Sequence, residues 1–294
     1  MSIDHLPKAT QKLWLRLKDD PLLSGFSLVG GTAIALKIGH RISEDIDLAF
    51  SPRLTLPRAA IRHLLDVIAE EGFCIEQRRD MKAEMDFENS GMDIMDYHQD
   101  FTVSGTKLTF FAPDRELRTV LKDSIERGNK TSTGVHVPDM DALFVSKCLV
   151  TAHRNKSRDW VDLYSLMNNH RYTPEDMARA FNQYEPGAIS VAIGRLTDGK
   201  PSLNDEGYHL LMDNPPSLGD IRDFFKKVRM EIEVKVIENS EARIHRVSHE
   251  RDMESLSQTQ SMPGEEEGKT PTAKRLKIAR LSAHYCFNTL NFKI

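Results

Sequence analysis

The sequence has few cysteines, and no two of them are close together. The three in 294 residues are Cys74, Cys148 and Cys286, and they form no Cys-X-X-Cys pair of the kind that holds structural zinc. A disulfide framework is typical of small, cysteine-rich, secreted chains. We therefore expect neither disulfides nor a cysteine-based zinc site, and we predict a reducing, cytoplasmic compartment.

Long apolar runs and a surplus of charge of one sign are also missing. No stretch approaches the roughly 20 apolar residues of a membrane-spanning helix, and the first residues, MSIDHLPKATQKLW, lack the apolar core of a signal peptide. The net charge of −4 gives no overall attraction to nucleic acid or anionic lipid. We predict a protein with no membrane partner, in which a local basic patch would have to hold any nucleic acid.

Hydrophobic periodicity predicts an α+β core in the first part of the chain. Strands are expected at 26–29, 46–50, 73–77, 99–103 and 107–112, with a hairpin turn at 104–106. Helices are expected at 7–20, 32–38 and 57–72, whereas 73–113 is predicted to contain strands without helices. These elements place a core domain at 1–113.

The rest of the chain is predicted to be helical and then polar. Helices are expected at about 114–127, 138–153, 158–169, 173–183 and 186–197, with more to about 238. We interpret four residues that keep helical spacing as part of the hydrophobic core; they are Trp160, Leu163, Tyr164 and Met167. The polar composition after 238 predicts a largely disordered tail. A helical domain at 114–237 and a tail at 238–294 follow from this pattern.

Two glycines follow the first predicted strand. Gly30 and Gly31 separate it from a helix that begins at Thr32. Glycine lets a ligand approach the backbone closely, and a helix N-terminus offers unpaired N–H groups and a partial positive charge. Such a turn can hold a polyphosphate, although many strand–glycine–helix turns hold no ligand.

Two aspartates lie on the next predicted strand. Asp45 and Asp47 project from the same face of this strand, while Ile46 and Leu48 face the core. Parallel carboxylates repel each other unless a cation lies between them, and hard oxygen ligands suit Mg²⁺ or Mn²⁺. An isolated pair could be a solvent-facing acidic strand. Because this pair follows directly after the glycine turn, the combination predicts metal ligands beside phosphate donors.

The segment GGTAIALKIGHRISEDIDLAF resembles the AbiEii/AbiGii nucleotidyltransferase family of toxin–antitoxin systems, within the DNA polymerase β-type nucleotidyltransferase superfamily. The family pattern continues with a downstream lysine, here Lys147, and an Arg-Asp-X-X-Asp-Leu segment, here 158–163. The resemblance covers roughly residues 20–170. It implies an α+β fold with a polymerase β-like core and a mixed sheet, followed by a C-terminal helical region.

The resemblance also implies site residues. The nucleotide-binding set is Gly30, Gly31, Thr32, Ser43 and Lys147, and the catalytic set is Asp45, Asp47, Lys147 and Asp159, in which Asp45 and Asp47 would be the metal ligands. Ser43 would hydrogen-bond a phosphate, or it could be a turn or cap serine. Lys147 would reach the β- and γ-phosphates, or its stem could extend along apolar surface towards solvent.

The two later aspartates have alternatives of the same kind. Asp159 would complete the polar site beside the nucleotide, or it could simply favour the N-terminus of its helix. We interpret Asp162 as structural, either at that helix N-terminus or paired with Arg158.

One position departs from the superfamily pattern. Polymerase β-type enzymes commonly carry a third carboxylate on a later strand, as a metal ligand or general base. The strand predicted at 107–112 has none, and Thr109 occupies that position. Asp100 on the preceding strand is a weak substitute, so the sequence leaves the base unassigned.

The function implied by the resemblance is transfer of a nucleoside monophosphate from an NTP to tRNA, with a separate antitoxin protein as partner. The loop before Asp159 would neutralise RNA phosphates, or it is simply solvated; its basic residues are His153, Arg154, Lys156 and Arg158. Two alternatives stay open. One is transfer to a small molecule such as an aminoglycoside or to a protein, and the other is a non-catalytic nucleotide-binding module.

Overall fold

The computed structural model describes residues 2–128, 133–170, 172–235 and 238. The chain divides into two units, Met1–Met230 and Glu231–Ile294. The described residues of the second unit at 231–235 are helical, and the tail predicted beyond 238 lies outside the described residues. The domain boundary predicted at residue 113 falls inside the first unit and stays a prediction.

A mixed five-stranded sheet forms the centre of the first unit. Its strands are β1 (Phe26–Val29), β2 (Ile46–Phe50), β3 (Ile75–Arg78), β4 (His98–Val103) and β5 (Thr106–Phe111). The order across the sheet is β1-β2-β5-β4-β3. The β2–β5 pair is parallel and the other three pairs are antiparallel. The predicted α+β class with a mixed sheet is confirmed.

Helices lie before, between and after the strands. They are α1 (Lys8–Leu17), α2 (Gly30–Ile38), α3 (Arg58–Glu70), α4 (Met81–Asn89), α5 (Arg115–Arg127), α6 (Met140–His153), α7 (Ser157–Asn169), α8 (Pro174–Tyr184) and α9 (Ile189–Asp198). Short 3-10 turns occur at Pro21–Leu23, Ile94–Asp96 and His209–Leu211, and a further helical stretch covers 218–230. The predicted C-terminal helical region is therefore present, and α6 and α7 pack against α2.

The prediction that 73–113 contains strands without helices is wrong at α4. Asp80 caps this helix, because its carboxylate accepts hydrogen bonds from the backbone N–H groups of Lys82 and Ala83. The helix then continues through residues of high helix propensity such as Met, Lys, Ala and Glu. Its one buried side chain is Phe87. With a single apolar position facing the core, the segment has no hydrophobic periodicity from which a helix could be predicted.

The hairpin between β4 and β5 was correctly predicted from its turn residues. Ser104 and Gly105 have φ values of +48° and +88°, as in the two-residue turns whose twist matches that of the flanking strands. The turn fixes the register of the two strands, in which Asp100 lies opposite Thr109.

The core contains the residues that helical spacing identified. Trp160 and Leu163 are fully buried and Met167 is 6% exposed, whereas Tyr164 is half-buried and packs edge-on against Phe224. The core interpretation of this helical face is therefore confirmed. No helix in the described part of the chain is long and apolar enough to cross a membrane.

Candidate active site

The glycine turn lies where β1 passes directly into α2. Gly30 has φ +71°, a left-handed conformation that residues with side chains rarely adopt. A Cβ atom here would lie 2.8 Å from Oδ2 of Asp47, so the missing side chain lets the Asp47 carboxylate approach the turn. The N-cap residue of α2, Val29, provides no side-chain hydrogen bond. The aspartate strand therefore meets the glycine turn at an uncapped helix N-terminus.

Gly31 makes room for an arginine that the sequence analysis left without a role. A Cβ atom at Gly31 would overlap Nη2 of Arg41 and lie 3.2 Å from Oγ of Ser43. The side chain of Arg41 is 4% exposed. Its guanidinium thus lies beside the glycine turn, where its charge adds to the partial positive charge of the helix N-terminus.

Asp45 immediately precedes β2 and Asp47 is its second residue, with the alternation that the sequence predicted. Both are half-buried, whereas Ile46 and Leu48 are fully buried. Burial raises the pKa of Asp45, and the nearby charge of Asp47 raises it further. Across the described ranges, neither carboxylate accepts a hydrogen bond or forms an ion pair within 4 Å. The two therefore form a like-charged pair without a direct ion-pair partner among the described residues, although the charges of Lys107 and Arg158 act on Asp45 from farther away.

Thr32 and Ser43 are buried behind this pair. Their hydroxyl oxygens lie 2.8 Å apart, and the Thr32 hydroxyl also donates to the backbone oxygen of Asp45. Both hydroxyls therefore bond inside the protein, and Thr32 ties the first turn of α2 to the residue that precedes β2. Phosphate contacts by Thr32 and Ser43 stay predictions.

Lys147 and Asp159 meet in the interior. The side chain of Lys147 on α6 is 6% exposed, so its ammonium does not extend to solvent. Its Nζ lies 2.6 Å from Oδ1 of Asp159 and 2.8 Å from Oδ2 of Asp162, both on α7. The other oxygen of Asp159 lies 2.7 Å from Nε of Arg154. Burial alone would lower the pKa of Lys147, but the two carboxylates raise it, so the ammonium stays charged.

Asp162 is the most connected carboxylate in this region. It is fully buried, and it accepts hydrogen bonds from Nε and Nη2 of Arg41, at 2.6 and 3.1 Å, and from Nε2 of His40 at 2.7 Å. The pairing with Arg158 that the sequence analysis considered is wrong, since Arg158 contacts other partners. Asp162 therefore links His40 and Arg41, which precede the aspartate pair in sequence, to Lys147.

We call this group the buried charge cluster; its members are His40, Arg41, Lys147, Arg154, Asp159 and Asp162. Burial lowers the pKa of His40, which favours the neutral imidazole. Burial would raise the pKa values of both aspartates, but the neighbouring cations hold them well below the usual range. Three cations against two carboxylates leave one net positive charge beside the glycine turn.

Thr109 occupies the position opposite Asp47 on β5, where a third carboxylate is common in the superfamily. Its hydroxyl donates to Oδ1 of Asp100 on β4 at 2.6 Å, and Nε2 of His98 lies 3.2 Å from Oδ2 of Asp100. Asp100 is thus a carboxylate one strand beyond the expected position. Within the described ranges, no three or more metal-ligating side chains gather into a group, so a metal ion here would rely on the aspartate pair.

The basic segment at the junction of α6 and α7 is largely paired with acidic residues. His153 lies 2.9 Å from Glu185, and Arg158 lies 3.0 Å from Glu206, while Arg154 belongs to the buried charge cluster. Contact between this segment and RNA stays a prediction, and it would have to compete with these ion pairs.

The sequence matches the family model of the AbiEii nucleotidyl transferase toxins, of type IV toxin–antitoxin systems, over residues 12–235. The match includes the glycine turn, the aspartate pair and the buried charge cluster. The chain belongs to this family. It is therefore a nucleotidyltransferase toxin of the AbiEii type, and membership implies a nucleotide substrate and a cognate antitoxin.

Individual relatives are distant. An uncharacterised protein of Aquifex aeolicus (strain VF5) is 23% identical over 207 residues, which cover 70% of this chain and 87% of that protein. A candidate nucleotidyltransferase from H. pylori is 16% identical, with a TM-score of 0.40 over 76% of this chain and 94% of that chain. MenT4, a nucleotidyltransferase toxin from Mycobacterium tuberculosis H37Rv, is 11% identical, with a TM-score of 0.39 over 75% and 80%. At such distances these relatives add no residue assignment to the AbiEii-family chain.

Proposed function

We propose that this AbiEii-family chain transfers a nucleoside monophosphate from an NTP to tRNA, and that the reaction depends on a divalent cation. One observation carries the proposal: the Asp47 carboxylate lies against Gly30 at the uncapped N-terminus of α2. Groups suited to a metal ion and groups suited to phosphate are therefore adjacent. The choice of tRNA as acceptor follows from the resemblance of the sequence motifs.

The glycine turn and the buried charge cluster support binding of the triphosphate. The first N–H groups of α2 can donate to phosphate oxygens, and the cluster adds one net positive charge. Lys147 would have to leave Asp159 or Asp162 to reach a phosphate. Neither carboxylate would then lack a cation, because Asp159 keeps Arg154 and Asp162 keeps Arg41. This arrangement lowers the cost of moving the lysine towards the β- and γ-phosphates.

The aspartate pair fits a hard divalent cation by its donor chemistry. Asp45 and Asp47 supply carboxylate oxygens, which Mg²⁺ and Mn²⁺ prefer, and the mutual repulsion of the two charges would be relieved by a cation. Asp45 and Asp47 would hold such an ion, which when bound would neutralise charge on the reacting phosphates. Gly30 leaves the space in which phosphate and carboxylates can approach each other.

The reaction is a displacement at the α-phosphorus. The oxygen of an acceptor hydroxyl forms a bond to phosphorus, the bond to the oxygen that bridges the α- and β-phosphates breaks, pyrophosphate leaves and the hydroxyl proton is released to solvent. The entering and leaving oxygens are roughly in line, on opposite sides of phosphorus. If the glycine turn holds the leaving pyrophosphate beside β1 and β2, the acceptor enters from the side of β5 and β4.

A labelling assay tests the proposal. Purified protein is incubated with Mg²⁺, unfractionated tRNA and each of the four NTPs labelled at the α-phosphate. We expect wild type to label tRNA with at least one NTP. Asp45→Asn and Asp47→Asn should each reduce labelling by about 100-fold or more, because loss of a metal ligand removes several kcal/mol of stabilisation. Asp66→Asn, on the exposed face of α3, is the matched control.

Other outcomes separate the alternatives. Unchanged labelling in both aspartate variants would refute the site. Labelling of an aminoglycoside or a protein, with tRNA unlabelled, would select a different acceptor. NTP binding without product from any acceptor would select a non-catalytic nucleotide-binding module.

The cognate antitoxin implied by the family is proposed to be a separate protein encoded beside this one. Expression of the AbiEii-family chain alone should arrest growth, and co-expression of the neighbouring reading frame should restore it. Continued arrest would contradict this assignment. A cytoplasmic location is proposed on the same basis as in the sequence analysis.

A further inference from the structure

One face of the sheet carries polar side chains beyond the aspartate pair. Asp47 lies opposite Thr109, and Thr109 lies opposite Asp100. Residues directly opposite in neighbouring strands point to the same face, so these three form one row. Because strands are about 4.8 Å apart, the backbone of Asp100 is roughly 10 Å from that of Asp47. Asp100 is therefore beside the aspartate pair on the sheet and separate from it.

The Thr109–Asp100 pair can accept hydrogen bonds. The side chain of Asp100 is 25% exposed, and its two hydrogen-bond partners are Thr109 and His98. A carboxylate offers about four lone-pair sites, so two partners leave capacity for a ligand. Thr109 is 1% exposed, and its hydroxyl donates a hydrogen bond that holds the Asp100 carboxylate, so Asp100 is the member of the pair that a ligand can contact. The complementary ligand group is a hydroxyl that donates.

The charges around Asp100 suit positioning better than proton transfer. Burial would raise the pKa of Asp100, but His98, Thr109 and Lys107 lower it to about 2. The carboxylate is therefore an anion at neutral pH and too weak a base to keep a hydroxyl proton. Lys107, 36% exposed and 3.8 Å from Asp100, adds a cation that can face a phosphodiester next to the bound hydroxyl.

We propose that Asp100, held in place by the buried Thr109, positions the terminal hydroxyl of an RNA acceptor for attack on the α-phosphorus. This inference rests on the proposed function, in which a pyrophosphate held at the glycine turn would leave the side of β5 and β4 to the acceptor. The third carboxylate of the superfamily pattern is then replaced by a positioning pair: Thr109 stands opposite Asp47, and its hydroxyl holds Asp100. The acceptor class is a polynucleotide end, with a hydroxyl for Asp100 and a phosphate for Lys107.

Binding of two forms of tRNA tests the inference without catalysis. The probes are tRNA with a normal 3′ end and the same tRNA ending in a 3′-deoxynucleotide, each titrated in the absence of NTP. Wild type should bind the normal form about tenfold tighter, the effect of one hydrogen bond to a charged group. Asp100→Asn and Thr109→Val, both isosteric changes, should discriminate less than about threefold.

Further variants separate positioning from a structural role. Thr109→Ser keeps the hydroxyl and should restore discrimination, and Asp66→Asn should discriminate like wild type. In the labelling assay, Asp100→Asn should raise the KM for tRNA and leave the KM for NTP unchanged. Equal increases in both KM values would show a structural effect and overturn the inference.

Two more results would overturn it. One is wild type that binds both tRNA forms equally, whatever the labelling assay shows. The other is an Asp100→Asn variant that discriminates as strongly as wild type. Failure of the proposed function has a different signature, which is absence of labelling by wild type with every NTP.

Discussion

We expect Asp162→Asn to lower the free energy of unfolding strongly, although it replaces only one side-chain oxygen by nitrogen. The carboxylate is fully buried and receives hydrogen bonds from Arg41 and His40 and an ion pair from Lys147. Asparagine has nearly the same shape, so the packing stays similar. The variant nevertheless removes the carboxylate charge in direct contact with Arg41 and places an amide N–H₂ group among cations.

The magnitude follows from burial. Breaking a buried ion pair by removing one partner costs about 3–5 kcal/mol, because an uncompensated charge remains. Lys147 keeps Asp159, so the cost is dominated by Arg41, and we expect about 3–4 kcal/mol. An exposed pair contributes about 0–1 kcal/mol. Asp223→Asn is the matched control, since Asp223 pairs with Lys226 at 2.8 Å and its side chain is 71% exposed.

Urea unfolding of both variants at pH 7 gives the comparison. Asp162→Asn should lower the free energy of unfolding by at least about 3 kcal/mol, and Asp223→Asn by less than about 1 kcal/mol. An Asp162→Asn protein that is unfolded without urea also meets the expectation, provided that the control is folded. Equal small losses in the two variants would refute the reasoning that burial makes this cluster strongly coupled.

Three further outcomes follow from the same geometry. Gly31→Ala should displace Arg41 and raise the KM for NTP about tenfold; Gly194→Ala, where an added Cβ meets nothing within 4 Å, should leave the KM unchanged in the same labelling kinetics. The folded pKa of Asp162 is below the unfolded value of about 3.9. The stabilisation that its carboxylate provides is therefore complete above that value and is lost as pH falls through the folded pKa. The free energy of unfolding, measured as a function of pH, should fall less steeply in acid for Asp162→Asn than for wild type. Thr32→Val should lower the Tm, since a buried hydroxyl that contacts Ser43 and Asp45 is removed, and an unchanged Tm would contradict that role.

Local patterns were sufficient to predict most of the elements. Alternation identified β2, and the confirmed helices begin and end within three residues of their predicted bounds. These signals are reliable because each of them depends only on residues that are close in sequence. The exception is α4, where a single buried phenylalanine gave no period and the cap residue Asp80 was the available signal.

The sequence predicted which residues belong near the site better than it predicted their partners. His40, Arg41 and Asp162 all lie within the motif segments, but Asp162 is 121 positions from Arg41, and no spacing rule pairs residues so far apart. The overlap between Gly31 and the Arg41 side chain is likewise a consequence of tertiary packing. The contact between Thr109 and Asp100 depends on the β4–β5 register, which the hairpin turn fixes.

The site assignments themselves stay proposals, and the aspartate pair is the one on which the others depend. The proposed lysine movement and the acceptor position both presuppose a cation held by Asp45 and Asp47 next to Gly30. If the pair held no metal ion, the close approach at Gly30 would be a packing feature only.

Mn²⁺ binding measured by electron paramagnetic resonance, with an NTP analogue that cannot be cleaved, tests this claim most directly. We expect a protein-bound Mn²⁺ signal in wild type and in Asp66→Asn. In the Asp45→Asn, Asp47→Asn double variant we expect an affinity weaker by about 100-fold or more, since even outer contacts to a metal site contribute about 10–100-fold. A double variant that binds Mn²⁺ as tightly as wild type would contradict the account.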